Sequence, residues 1–261
     1  MNDVTLVTGA SSGIGADLAR IFAREGHRLA LTARRVELLD ALADEIAQTG
    51  APRPLVLPLD LAEPGAADQL AARLAGDGAR CAILVNNAGY GLIGAAATLD
   101  RAEQVGMVDL NVRALTDLTL ALLPQIRAAR GRILNVASLA AFSPGPGMAV
   151  YYATKAFVLS FSEALGQELK RDGVSVTALC PGPTPTGFFD RAGATGDPFG
   201  PMPKITSAEV AELGFRGLMA GKRVVLPGKV NRIIATLSGV APRGLVLPIL
   251  ARMQMRRGGN A

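Results

Sequence analysis

The sequence predicts a single α/β domain, an open, doubly wound parallel sheet of about seven strands with helices on both faces. Three observations carry that prediction. Short apolar runs alternate with helical patterns along most of the chain, which is the pattern of βαβ units joined by right-handed crossovers. The run Cys81 to Val85 is almost wholly apolar, as suits a strand covered on both sides. Gly9, Asn86, Ser138 and Pro181 all fall at the carboxyl ends of predicted strands, the edge at which such sheets bind ligands.

In order, Val4 to Thr8 reads as a strand, and a glycine-rich turn holding Gly9, Ser11, Ser12, Gly13, Ile14 and Gly15 follows it. Ala16 to Arg24 has helical periodicity. A strand, a glycine turn and a helix N-terminus together suit a phosphate, because free N–H groups and the helix dipole face it. Arg28 to Thr32 is the second strand, Val36 to Gln48 a helix ended by Gly50, and Pro54 to Leu57 the third strand. Pro64 to Leu74 is helical and Cys81 to Val85 is the fourth strand. Ala102 to Ala129 is one long helical stretch, expected to bend or end near Pro124. Arg132 to Ala137, Tyr151 to Arg171 and Val174 to Leu179 complete the pattern as strand, helix and strand. The Pro/Gly/Thr-rich stretch Pro181 to Pro203 is longer than an ordinary connection, as lids often are.

With 261 residues, 49% of them apolar, the chain is long enough for a substantial core and unlike a disordered one. No linker or repeat divides it, so residues 1–227, with a substrate loop at 181–205, are expected to form one catalytic unit. Residues 228–261 would pack on it as an extension. The net charge of +5 comes from scattered Lys and Arg with no block of like charge, and only eleven aromatic residues accompany them. That argues against a nucleic-acid surface. One histidine, His27, and two cysteines cannot assemble a metal cluster by spacing. Cys81 and Cys180 lie in apolar runs and are expected as buried free thiols. The start of the chain lacks a secretory pattern, so a cytoplasmic location is expected.

Residues 138 to 155 hold the candidate chemistry. Ser138 ends an apolar run, and after a Pro/Gly-rich loop a helix brings Tyr151 and Lys155 four positions apart onto one face. An ammonium beside a phenol favours its ionised form, so Tyr151 is expected below its usual value of about 10. A phenol tuned this way is a general acid or base for a carbonyl or hydroxyl, with Ser138 bonding the same oxygen. Tyr152 is a competing phenol, three positions from Lys155.

These residues give the chain a close resemblance to the short-chain dehydrogenase/reductase family, and so to a Rossmann-type fold. Thr8, Gly9, Gly13, Ile14 and Gly15 look like that family's cofactor loop. The run Asn86, Asn87, Ala88 and Gly89 looks like its signature after the fourth strand. Asn111, Ser138, Tyr151 and Lys155 match its catalytic four in order and spacing. The resemblance implies that Tyr151 is the general acid, Ser138 the carbonyl holder and Asn111 the carrier of a water in a proton relay. Lys155 would lower the phenol's pKa and bond the nicotinamide ribose. It also places Pro181, Gly182, Thr184 and Thr186 against the nicotinamide carboxamide, and Asp60 with Leu61 near the adenine. For Asp60 a helix cap is an equal alternative. One of Asn86 and Asn87 is expected mainly to tie neighbouring strands.

Sites that prefer NAD carry an acidic residue about twenty positions past the glycine loop, whereas an arginine accommodates a 2′-phosphate. After the second strand this chain has Arg34 and Arg35 and no carboxylate until Glu37, which predicts NADP(H). Leu139 to Met148, Tyr90 to Ile93 and Phe188 to Met202 are expected to frame the substrate. Their only charged neighbours are Asp190, Arg191, Asp197 and Lys204, so an apolar ketone, aldehyde or 3-oxoacyl substrate, or the corresponding alcohol, is expected. A competing reading is a dinucleotide-binding sensor without turnover, against which an intact Ser138, Tyr151 and Lys155 argues.

The tail carries Ile233, Ile234, Leu237 and Leu245 to Leu250 beside Arg243, Arg252, Arg256 and Arg257, and resembles that of an acyl-reductase-like branch. Pro242, Arg243 and Pro248 interrupt it, so it is not expected to span a bilayer. Packing, oligomer contact or peripheral membrane contact are its expected uses. By the same resemblance a homodimer or homotetramer is expected, through the helices at 102–129 and 151–171.

Overall fold

The computed structural model describes residues 2–193 and 204–240, and beyond them residues 244, 247, 248 and 251. Its elements follow the order β1 (Asn2–Thr8), α1 (Gly13–Arg24), β2 (Leu29–Thr32), α2 (Val36–Gln48), β3 (Leu55–Val56), α3 (Ala66–Gly76) and β4 (Ala79–Asn86). Then come α4 (Arg101–Val108), α5 (Leu115–Ala128), β5 (Arg132–Val136), α6 (Ala149–Glu168) and β6 (Ser175–Leu179). The last are α7 (Phe188–Arg191), α8 (Ser207–Met219), β7 (Val224–Val225) and α9 (Lys229–Val240). The expected residues Asp197, Met202, Pro242, Arg243, Leu245, Leu250, Arg252, Arg256 and Arg257 lie outside the described residues.

The strands form one parallel sheet in the order β3-β2-β1-β4-β5-β6-β7, the doubly wound fold predicted from the alternation. Chain order reverses between β1 and β4, which are neighbours, and a crevice opens at their carboxyl ends. Two apolar layers sandwich the sheet. On one side α1, α2 and α8 bury Leu18, Phe22, Leu39, Leu42, Phe215 and Leu218. The Phe22 ring sits edge-on to Phe215, with centroids 5.0 Å apart. On the other side α3, α5 and α6 bury Leu70, Leu74, Leu118, Leu122 and Leu165. Each such side chain contributes about 1.5–3 kcal/mol relative to exposure.

Two local expectations are corrected. The long helical stretch is not interrupted at Pro124, which lies inside α5. Pro124 and Leu120, one turn earlier, are both on the exposed face, where water takes the place of the lost backbone partner. The interruption comes earlier, as a π-helical turn over Asp109–Ala114 that contains Asn111. The short edge strand β7, which pairs with β6 at Ala178 and Leu179, carries no alternating or extended apolar pattern that would have located it.

Candidate active site

The glycine turn after β1 is held from below by side chains of the β4 end. Thr8 Oγ1 accepts from the backbone N–H of Asn87 (2.9 Å) and of Ala88 (3.0 Å) and donates to Val85 O at 3.2 Å. Asn87 Nδ2 donates to Thr8 O (2.9 Å) and Gly9 O (3.1 Å). The two loops therefore touch backbone to backbone. A Cβ on Gly9, whose φ is +63°, would fall 2.8 Å from Ala88 Cα, and one on Gly15 would fall 2.5 Å from Gly9 O. Asn86 is the residue that ties the scaffold, with Nδ2 donating to Thr119 Oγ1 and Asn135 Oδ1, each at 2.9 Å.

Arg35 leans over this turn, its Nη2 donating to Ser11 Oγ (3.0 Å) and Ser12 Oγ (3.1 Å). Arg34 stands beside it, 71% exposed, with Nη1 3.8 Å from Asp60 Oδ2. Asp60 Oδ1 also accepts from Ala62 N at 3.0 Å. Asp60 therefore makes the local cap-like bond and faces Arg34 at once.

On the other side of the crevice, β5 ends at Val136 and delivers Ser138, whose Oγ accepts from Ala140 N at 3.1 Å and opens a short 3₁₀ turn. The first two turns of α6 present Tyr151, Thr154 and Lys155, all buried. Ser138 and Tyr151 line the cleft together, and the Ser138 hydroxyl acts on the phenol to lower its pKa. Lys155 Nζ donates to Val136 O at 2.8 Å and lies 5.9 Å from the centre of the Tyr151 ring.

The expectation that Lys155 lowers the phenol is overturned. Burial pushes Tyr151 up to about 12, opposed by the Ser138 hydroxyl. Burial likewise brings Lys155 down to about 8. Desolvation disfavours the charged form of each group, and here it outweighs their mutual attraction. Tyr151 is thus held as a neutral proton donor at neutral pH.

Asn111 is buried, and its amide is committed to the loop after β4. Nδ2 donates to Tyr90 O (2.9 Å) and Thr154 Oγ1 (3.1 Å), while Oδ1 accepts from Tyr90 N at 3.1 Å. A Cβ on Gly89 would lie 2.8 Å from Asn111 Oδ1 and 3.6 Å from Lys155 Nζ, so no larger residue fits there. Cys180, at the end of β6, receives the Ser138 backbone N–H, and burial pushes its thiol up to about 12. Both cysteines are free and buried.

These groups line one cleft of about 1030 Å³. Its nucleotide end holds Gly9, Ser11, Ser12, Gly13 and Ile14, with Arg34, Arg35, Asp60 and Leu61. Asn87, Ala88 and Gly89 lie in the middle with Ser138, Tyr151 and Lys155, beside Pro181, Gly182, Thr184 and Thr186. Gly15 and Asn111 stand behind the wall rather than in it.

Sequence reasoning did not find α9 in the site. Asn231, buried, packs against Gly182 and donates to Pro227 O at 2.7 Å, which turns Ile234 and Ser238 into the cleft. It also did not find Glu103 of α4, which pairs with Arg191 while Arg191 stacks 4.7 Å over the Tyr90 ring. No local pattern marks such contacts between distant segments.

The family model for short chain dehydrogenases matches residues 3–196. The chain belongs to the short-chain dehydrogenase/reductase family. Sulfoacetaldehyde reductase of Chromohalobacter salexigens is 41% identical over 191 residues, 72% of this chain and 75% of that one. Among solved structures, a short-chain dehydrogenase from Sphingobium yanoikuyae in complex with NADPH superposes with a TM-score of 0.82 at 34% identity, covering 95% of both chains. The bulky-bulky ketone specific alcohol dehydrogenase from Comamonas testosteroni gives a TM-score of 0.75 at 31% identity, over 100% of this chain and 97% of that one. The matched span takes in β1 to β6 and Ser138, Tyr151 and Lys155. The family model itself stops short of α8 and α9.

Proposed function

We propose that this enzyme uses NADPH to reduce an apolar, bulky ketone or other carbonyl to the alcohol. The observation that carries the reading is the meeting of a buried, protonated Tyr151 with Ser138 in a cleft whose far end is guarded by two arginines. The close-packed glycine turn fits a pyrophosphate, and Arg34 and Arg35 with Ser11 and Ser12 fit a 2′-phosphate by charge and by donor number. When bound, NADPH supplies the hydride.

The chain's own groups do the rest. Ser138 orients the carbonyl oxygen through its hydroxyl. Tyr151, a phenol protonated at neutral pH, gives that oxygen its proton. Lys155, at about 8, can replace the proton on the phenol. Asn111, bonded to Tyr90 and Thr154, holds the loop after β4 against α6 beside Lys155. Phe188 covers the Tyr151 ring at 5.3 Å between centroids, and together with Met148 and Ile234 it keeps this end apolar and excludes bulk water.

A panel of aromatic ketones, diketones and 3-oxoacyl thioesters, followed by NADPH oxidation, tests the proposal. Turnover of at least one class is expected, with Tyr151→Phe lowering kcat/KM by about 10²–10⁴-fold while NADPH still binds. Binding with no turnover of any class, unchanged in the variant, would point to a dinucleotide sensor instead.

A further inference from the structure

We propose that the outer face of α9 rests on an anionic lipid surface, with the substrate cleft opening beside the contact. Val230, Ile233 and Leu237 are 44%, 59% and 59% exposed, and their spacing of i, i+3 and i+7 puts them in one stripe. The opposite face of the helix is anchored through buried Asn231 and Ala235. Around the helix the order runs Lys229, Ile233, Leu237, Val230, Ile234, Ser238. The apolar stripe therefore begins at a cation and continues without a break into Ile234 and Ser238 of the cleft wall.

Charge selects the surface. Lys and Arg are spread through the chain, but Asp and Glu are not. Residues 1–212 hold 18 basic and 22 acidic residues, and residues 213–261 hold nine basic and none acidic. The whole net positive charge thus belongs to the segment that carries the stripe. Among the described residues, Lys222, Arg223, Lys229 and Arg232 have no carboxylate within ion-pair distance. An apolar face edged by cations is what an in-plane helix presents to acidic headgroups.

A two-fold contact between copies would instead bring two acid-free, positively charged segments together. No helix among the described residues is long and apolar enough to cross a membrane, so the contact is interfacial. It would let an apolar substrate enter the cleft from the lipid phase.

Co-sedimentation of the full chain with phosphatidylcholine vesicles, with and without phosphatidylserine, tests this. Binding is expected only to the phosphatidylserine vesicles, and high salt should release it. Ile233→Ser combined with Leu237→Ser should weaken partition about tenfold or more and leave NADPH affinity unchanged. The chain has no tryptophan, so Leu237→Trp gives a single fluorophore that should shift to the blue on phosphatidylserine vesicles, independently of the double variant's folding. Equal binding to both vesicle types, or none to either, overturns the proposal. So does a change of oligomeric state in the double variant, which would assign the stripe to a second copy. No readout involves turnover, so this test and that of the reductase reading fail separately.

Discussion

The two ends of the cleft are built on different principles. At the nucleotide end, backbone approaches backbone. Gly9 and Gly15 have no room for a Cβ, and Thr8 and Asn87 bind main-chain groups across the β1 and β4 loops. At the substrate end, side chains from distant segments line one cleft: Met148 from the edge of α6, Phe188 from α7, Ile234 from α9. Close backbone approach demands particular residue types at fixed spacing. Apolar walls demand only volume, which many residues supply. The first end should therefore be brittle and cofactor-specific, and the second adaptable.

The sharpest test of the nucleotide end is its arginine pair. Removing Arg34 and Arg35 together by alanine substitution should raise the NADPH Michaelis constant by about 100-fold or more, since charge-assisted bonds contribute about 1.5–3 kcal/mol each. The NADH constant should move about twofold or less, as no 2′-phosphate is lost. Steady-state kinetics with both cofactors reads the difference, and equal effects would refute the assignment.

The substrate end should respond in the opposite sense. Phe188 lies over Tyr151, and its Cζ stands 2.6 Å from where a Cβ on Gly91 would be. Phe188→Ala removes a wall without touching the glycine turn. It should shift preference by about tenfold between small and large ketones, on the scale of a changed apolar pocket contact, and leave the NADPH constant unchanged. A Phe188→Ala enzyme with a weakened NADPH constant and an unaltered ketone profile would erase the distinction between the two ends.

The same contrast explains what was legible in the sequence. The alternating apolar runs and the turn glycines left local traces, so the sheet, its ligand-binding edge and the Ser138, Tyr151 and Lys155 grouping could be read directly. The π-helical turn at Asn111 could not be, because it depends on a bond to Tyr90 across 21 residues. Pro124 misled for a related reason, since a proline's effect depends on which face it occupies. Ile234 and Ser238 escaped because Asn231, packed on Gly182, is what turns α9 inward. The tuning of Tyr151 was misjudged in direction. Spacing shows that a lysine shares the helix face, but burial, which spacing does not report, dominates both groups.

That reversal makes the smallest predicted effect a test of the midpoint between the two ends. Lys155 falls from 10.5 to about 8 on burial, so between those values the folded chain has already released a proton that the unfolded chain still holds. Stability then rises with pH across that window. Below about 8 the ammonium is charged in both states, and the folded chain carries the full cost of burying it. Lys155→Met lacks the group. Its melting temperature relative to the parent should be highest near neutral pH, and the gap should narrow as pH climbs through about 8 towards 10. Tyr151, raised from 10.0 to about 12, opposes the trend only above 10 and is present in both proteins, so it cancels over this range. A gap that stays constant from neutral pH to 10 would mean that Lys155 remains charged. The ammonium's influence on Tyr151 would then have to be restored to the mechanism.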